Sequence, residues 1–235
     1  MNNQKPEPRD NGDGRTIDLH SVFYTIQGEG PFSGHPAVFV RLAGCNLMCP
    51  QCDTLYTTGR NRVPLATVLE RVNDAAPDHR GLIVITGGEP FRQNLDLLLL
   101  GLLLAGYSIQ IESNGFFEPS GVVCDLVRDK RISIVVSPKT GRINPKLAEI
   151  ATAFKYVLDH RSVNPEDGLP VEALGHGLGK APFIARAPAG KPIYVNPCDV
   201  KDPDHNQRNL DAAAKSCLRF GYILGVQIHK YANLE

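Results

Sequence analysis

The chain reads as an α/β protein, a partial, incomplete parallel β/α barrel of about six strands with a reduced set of helices. Short apolar, β-rich runs alternate along it with segments of helical periodicity, the order that produces parallel βαβ units. Glycine-rich and polar motifs fall just beyond those runs, where the loops of a parallel barrel converge on one face. The 235 residues suffice for one such domain with a sizeable core.

Residues 1–16 are polar and turn-rich. They are expected to form a flexible tail without the apolar stretch of a targeting peptide, ahead of a single domain over 17–235. Strands are expected at 22–27 and 37–42, flanking a Gly/Pro loop. Pro64 suits a first helical turn, and Leu65, Val68, Leu69 and Val72 recur at helical spacing, which predicts a helix over about 65–76. A buried strand follows at 82–86. The run 95–106 is almost purely apolar; a bilayer span needs roughly 20 such residues, so a buried helix is expected. Further strands are expected at 108–112, 132–137, 154–158 and 193–196. A last helix spans 209–220 with Gly221 as its stop signal, and a last strand 223–229. Residues 159–191, rich in Gly and Pro, read as a variable surface insertion. Its Gly175–Lys180 stretch hints at a phosphate loop but fails both nucleotide fingerprints.

The balance of 25 basic and 25 acidic residues, without a run of like charge, leaves no footprint for nucleic acid or an anionic membrane. A small-molecule substrate is therefore expected. Six cysteines in this length do not make a disulfide scaffold, which points to a reducing cytosol.

Three of those cysteines, Cys45, Cys49 and Cys52, lie in one short segment. Thiolates suit soft metals and iron-sulfur centres, and three of them on a 4Fe-4S cubane leave one iron open to an exogenous ligand. The alternative is a non-catalytic zinc or iron module, which needs a fourth protein ligand; Cys124, Cys198 and Cys217 are singletons that could supply it. Other motifs sit at strand ends: Gln27-Gly28-Glu29-Gly30, Thr86-Gly87-Gly88-Glu89-Pro90, Glu112-Ser113-Asn114-Gly115, Ser137-Pro138-Lys139 and Asn196-Pro197. In the second of these, two glycines permit close backbone approach, and Glu89 offers a carboxylate to a cationic partner. Without the cysteine loop, the same residues would read as a tight turn.

The cysteine spacing and the Gly-Gly-Glu-Pro turn together resemble the radical S-adenosylmethionine superfamily. Within it the likeness is to the 7-carboxy-7-deazaguanine synthase family, through residues 23–30, 34–47 and 52–54, the motifs at 112–115 and 137–139, and Gln227-Ile228-His229-Lys230-Tyr231. It runs from about residue 17 to the end and is weakest over 159–191. The resemblance implies a lyase that contracts 6-carboxy-5,6,7,8-tetrahydropterin to 7-carboxy-7-deazaguanine with loss of ammonia, in queuosine-type biosynthesis. S-adenosylmethionine would be cleaved at the cluster to a radical and regenerated. Cys45, Cys49 and Cys52 would hold the 4Fe-4S cluster and Thr54 a magnesium ion. Gly87, Gly88, Glu89, Ser137, Pro138 and Lys139 would surround S-adenosylmethionine, as would Asn196, Pro197, Cys198 and Asp199, where members often carry Gln-Pro. Ile26, Gln27, Gly28, Glu29, Arg41, Thr86, His229 and the terminal carboxylate of Glu235 would surround the pterin. No residue is assigned a catalytic role beyond positioning. Arg41 suits a substrate carboxylate because its planar fork binds in bidentate fashion. The resemblance further implies a cytoplasmic homodimer served by an electron donor such as flavodoxin or ferredoxin. A rival within the superfamily is an activase that installs a glycyl radical on a partner protein.

Overall fold

In the computed structural model, which describes residues 3–52, 54–78, 80–175, 184–232 and 234, strands and helices alternate for most of the chain. They are β1 (Thr16–Ile26), β2 (Pro36–Leu42), β3 (Asn61–Pro64), α1 (Leu65–Ala75), β4 (Leu82–Gly87), α2 (Asp96–Leu104), β5 (Ser108–Ser113) and α3 (Gly121–Arg128). Then follow β6 (Ile132–Val136), α4 (Pro145–Ile150), β7 (Ala153–Leu158), β8 (Ile193–Pro197), α5 (Pro203–Phe220), β9 (Ile223–Leu224) and α6 (Ile228–Tyr231). All nine strands join one sheet in the order β3-β1-β2-β4-β5-β6-β7-β8-β9. From β2 to β9 every pairing is parallel, whereas β1 pairs antiparallel with both β2 and β3. Among the described residues no pairing joins β9 to β3, so the sheet is open.

This architecture corrects the sequence reading in two respects. The parallel set exceeds about six strands only by the two-residue β9, but β1, taken as its first member, runs the other way. The β1–β2 connection, 27–35, is too short for the crossover of a dozen or more residues that a parallel neighbour needs. In addition, the last strand ends at Leu224, and its expected second half is an irregular stretch followed by α6.

Side-chain alternation along each strand separates two faces. On β7, Phe154, Tyr156 and Leu158 enter the main core, while Lys155 and Val157 line the opposite side. On β5, Ile109 and Ile111 join that core and Glu112 faces the inner side. The inner face is plugged at its amino end by Ala37, Leu82 and Val84, with Phe32 and Phe39 against them. Phe32 comes from a 3-10 turn, Gly30–Phe32, in the β1–β2 loop. The plug leaves the carboxyl end of the inner face open for a site.

Several helices differ from expectation in their extent. α5 starts at Pro203, where Asp202 caps it by accepting from His205 N–H, since its polar first turns carry no apolar period. α3 and α4 are short and went unread, although Ser120 and Asn144 cap them through side-chain oxygens. α2 buries Leu98, Leu99 and Leu102, but Leu104 is 90% exposed, so it is buried on one face only. No helix among the described residues is long and apolar enough to cross a membrane.

The opening segment departs from the loose tail expected. It has no helix or strand, yet Gln4 is buried; its side chain accepts from Tyr56 N–H and Thr57 N–H at 2.7 and 2.8 Å and donates to the Thr54 carbonyl at 3.1 Å. Glu7 pairs with Arg60 and Arg92. Those arginines also meet Asp18 of β1, with Arg92 Nη2 2.8 Å from Asp18 Oδ2. Burial works against the Asp18 charge, but hydrogen bonds from Arg92 and Arg60 outweigh it and hold the carboxyl below its ordinary 3.8. A depressed carboxylate stabilises the fold above its unfolded value and loses that contribution as pH falls through the folded one. Asp18→Asn is therefore expected to cost about 3 kcal/mol at neutral pH by leaving buried Arg92 with less compensation, and to flatten the acid limb of a pH–stability curve below pH 4. Urea midpoints across pH check both; an unchanged midpoint would count against the network.

The insertion is likewise not simply a surface loop. Leu169, Ala173 and Ile184 are buried in the core, and the Leu174 carbonyl accepts from Gln51 N–H in the cysteine loop at 3.0 Å. Of the Gly175–Lys180 stretch, only Gly175 lies within the described residues.

Candidate active site

The loop leaving β2 carries the three cysteines to the carboxyl edge of the sheet. Cys45, Cys49 and Cys52 line one cavity of about 370 Å³, and none of them is in a disulfide. Leu47 N–H approaches Cys45 Sγ at 3.5 Å and Asn114 Nδ2 at 4.0 Å. Burial pushes the Cys45 thiol up to about 12, against the Leu47 hydrogen bond. A thiolate buried in this way calls for a cation beside it. The donor set, three thiols and N–H groups aimed at sulfur, fits an iron-sulfur centre. Cys198 also lines the cavity, while Cys124 and Cys217 sit on α3 and α5.

The turn after β4 packs backbone against this loop. A Cβ on Gly87, at φ +124°, would lie 2.1 Å from the Leu42 carbonyl oxygen, and one on Gly88 1.9 Å from the Gly44 oxygen. Glu89 N–H donates to that same Gly44 oxygen at 2.9 Å. Both glycines line the cavity. The Glu89 carboxylate is outside that lining. It is fully buried and accepts from Phe91 N–H, Ser113 Oγ and Asn114 N–H at 3.0, 2.8 and 2.7 Å, clamping the end of β4 to the end of β5. Burial pushes its carboxyl up to about 7 against those donors.

Around the cysteines the cavity also takes in Ser137, Lys139 and all of Asn196, Pro197, Cys198 and Asp199. Pro138 is not in its lining. A second lobe is lined by Phe23, Ile26, Gln27, Glu29, Phe39, Arg41, Thr54, Thr86, Glu112, Lys155 and Gln227. Thr54, Thr86, Glu29, Glu112, Lys155 and Gln227 belong to both, so the lobes are continuous. Arg41 on β2 stands in register with Thr86 on β4, its guanidinium 4.8 Å from the Phe23 ring centre.

Five of the expected pterin residues, Ile26, Gln27, Glu29, Arg41 and Thr86, thus meet in one lobe. The motif 27–30 reaches it by an unexpected route. Because β1 is antiparallel, its carboxyl end lies at the amino end of the parallel strands, and Glu29 enters the interior from there. Gly28 is outside the lining; its carbonyl accepts from Ser33 Oγ and from Ile228 N–H at 3.2 and 3.4 Å, tethering the carboxyl-terminal turn. The side chain of His229 and all of Glu235 lie outside the described residues.

Sequence reasoning missed Lys155 altogether and gave Glu112 and Gln227 no individual role. Lys155 Nζ pairs with Glu29 and Glu112, and Gln227 Nε2 donates to Glu29 Oε1 at 2.6 Å. The available signal was a lysine in the middle of an otherwise apolar strand, which is costly to bury unless paired. The buried Asn196 side chain lies beside this group and is among those that favour the Glu29 charge.

An open, mostly parallel α/β sheet with a three-cysteine loop and a double-glycine turn around one cavity defines a radical S-adenosylmethionine protein. The chain is 44% identical over 234 residues to the 7-carboxy-7-deazaguanine synthase of Rhodospirillum rubrum, covering 97% of this chain and 96% of that one. It is 32% identical to the Rickettsia prowazekii protein of the same name, covering 95% and 91%. It belongs to the 7-carboxy-7-deazaguanine synthase family. In fold it matches the crystal structure of QueE from Escherichia coli, with a TM-score of 0.65 at 23% identity over 93% of this chain and 99% of that one. No family model matches the chain.

Proposed function

We propose that the protein is a lyase that converts 6-carboxy-5,6,7,8-tetrahydropterin into 7-carboxy-7-deazaguanine with release of ammonia, within queuosine biosynthesis. The observation that carries this reading is the two-lobed cavity, with three cysteines in one lobe and a guanidinium beside carboxylates in the other. Cys45, Cys49 and Cys52 would hold a 4Fe-4S cluster, with S-adenosylmethionine among Gly87, Gly88, Ser137, Lys139 and residues 196–199. When bound, this pair supplies one-electron reductive chemistry that side chains lack. The protein positions the substrate and keeps water out. Arg41 grips the pterin carboxylate through its planar fork, and Glu29, Glu112 and Gln27 meet the N–H-bearing edges of the ring. Thr54, at the junction of the lobes, offers a hydroxyl to Mg²⁺, whose remaining positions suit substrate oxygens and water. His229 and the terminal carboxylate of Glu235 would complete the pterin site, following the Gln227 that donates to Glu29. We place the enzyme in the cytoplasm as a homodimer, with flavodoxin or ferredoxin as reductant.

Anaerobic incubation with the pterin, S-adenosylmethionine, Mg²⁺ and a reductant, followed by mass analysis, is expected to yield the deazapurine. A reconstituted enzyme that leaves the pterin unchanged would overturn the reading. Arg41→Ala is expected to weaken pterin binding by about 1.5–3 kcal/mol, roughly 10- to 150-fold, and to leave S-adenosylmethionine binding unaltered. Equal losses for both ligands in titrations would remove Arg41 from the carboxylate site.

A further inference from the structure

The pterin reading uses Arg41, Gln27 and Glu29 but gives Lys155 no part. An ammonium in the middle of a strand must be answered by charge, and here it is answered twice, by Glu29 Oε2 and by Glu112 Oε2 at 3.0 Å. The other carboxylate oxygens are also engaged. Glu29 Oε1 accepts from Gln227 at 2.6 Å, and Glu112 Oε1 from Gln27 at 2.9 Å and Gln110 at 3.2 Å. An ionised carboxylate has about four acceptor positions, so both groups keep capacity for further donors in the lobe they line.

Two carboxylates sharing a site repel, and without a cation between them one takes up a proton and becomes a donor. Burial works against the Glu29 charge, but Lys155 overrides it and holds the carboxyl at about 2. The carboxylates of Glu112 and Glu29 in turn hold the Lys155 ammonium above its ordinary range against burial. Among the described residues, the remaining charged groups around the two lobes are Arg41 on β2, Lys139 beyond β6, and Asp199, Lys201 and Lys230. Asp199 is paired with Lys230 at 2.6 Å, and Lys139 with Ser137. Lys155 is therefore the cation placed between Glu29 and Glu112.

Resting on the pterin reading, we infer that Lys155 is a positioning residue of the substrate lobe, fixing Glu29 and Glu112 as a paired acceptor wall for the N–H donors of the pterin ring. The wall orients the substrate, with its nitrogen-rich edge toward the carboxylates and its own carboxylate toward Arg41.

The test is separate titration of the pterin and of S-adenosylmethionine into cluster-loaded protein. Lys155→Met is expected to raise the pterin Kd roughly 10- to 100-fold, while bound iron and the S-adenosylmethionine Kd stay at wild-type level. Lys155→Arg, which keeps the bridging charge, is expected to recover most of the affinity. The double variant Lys155→Met/Glu112→Gln, relieved of one negative charge, is expected to bind the pterin more tightly than Lys155→Met alone. Wild-type pterin affinity in Lys155→Met, equal loss of both ligands, or losses that simply add in the double variant would overturn the assignment. If Lys155→Met does not fold, the double variant is read against Glu112→Gln alone, and equal pterin affinity in those two would overturn the assignment in the same way. A wild-type enzyme that binds no pterin would sink the pterin reading itself, whereas pterin binding that is indifferent to position 155 sinks only the role of Lys155.

Discussion

Cys49→Ala is expected to leave a folded chain that retains almost no cluster iron and forms no product, while Cys124→Ala retains both. Cys49 lies in the middle of the cysteine loop, its carbonyl accepting from Cys52 N–H at 3.1 Å, and it lines the cavity with Cys45 and Cys52. With one of three thiolates removed, two corners of a cubane would lack protein ligands. Cys124, on α3, borders a separate surface depression with Arg9 and Lys146. Cys198→Ala supplies the discriminating third arm. It lines the same cavity but follows β8, outside the three-cysteine loop, so its loss is expected to leave iron content unchanged. Iron and sulfide counting after anaerobic reconstitution checks all three. If Cys198→Ala lost its metal as Cys49→Ala does, the centre would be saturated by four thiolates, with no position left for a cofactor.

The contrast among these cysteines shows what kind of information the sequence carries. The triplet was legible because metal ligation needs local spacing, and local spacing survives in one dimension. The double glycine at 87 and 88 was legible for a similar reason, since only a residue without Cβ tolerates such close backbone approach. Short apolar runs exposed β4, β5, β6 and β7, because parallel strands beneath a helix layer are largely buried. Direction is not encoded that way. The apolar pattern of β1 is the same whichever way it runs, and only the shortness of the loop to β2 reveals an antiparallel return. The path of Glu29 into the barrel from its amino end was hidden for that reason. Lys155, Glu112 and Gln227 come from β7, β5 and the carboxyl-terminal segment, and nothing local joins them. That Glu89 also clamps two strand ends was hidden for the same reason, because Ser113 and Asn114, which donate to it, lie on another strand end. The opening segment was misread because its polar residues make their contacts more than 50 positions away, as Gln4 does with Tyr56 and Thr57.

Gly88→Ala, like Gly87→Ala beside it, is expected to be among the most damaging single added methyls in the molecule. The added Cβ would stand 1.9 Å from the Gly44 oxygen, 2.4 Å from its carbonyl carbon and 3.0 Å from Cys45 N. These are backbone atoms, so no rotamer change relieves the clash. Either the β4 turn or the start of the cysteine loop has to move, and the Glu89 N–H to Gly44 hydrogen bond of 2.9 Å goes with it. Overpacking of a closed site costs up to about 3 kcal/mol when side chains can yield, and the cost here should reach at least that upper end. Function should suffer more than stability, because the displaced segment carries Cys45 and lines the cofactor lobe. The expected outcome is a lowered melting temperature together with a sharp fall in reconstituted iron and in S-adenosylmethionine binding. Gly121→Ala is the matched control. Nothing lies within 4 Å of a Cβ there, the residue opens α3, and alanine in place of glycine at a compatible helical position stabilises by about 0.4–1 kcal/mol. Should Gly88→Ala load iron and bind S-adenosylmethionine as well as Gly121→Ala does, the close contact between the β4 turn and the cysteine loop would not be what shapes the cofactor lobe.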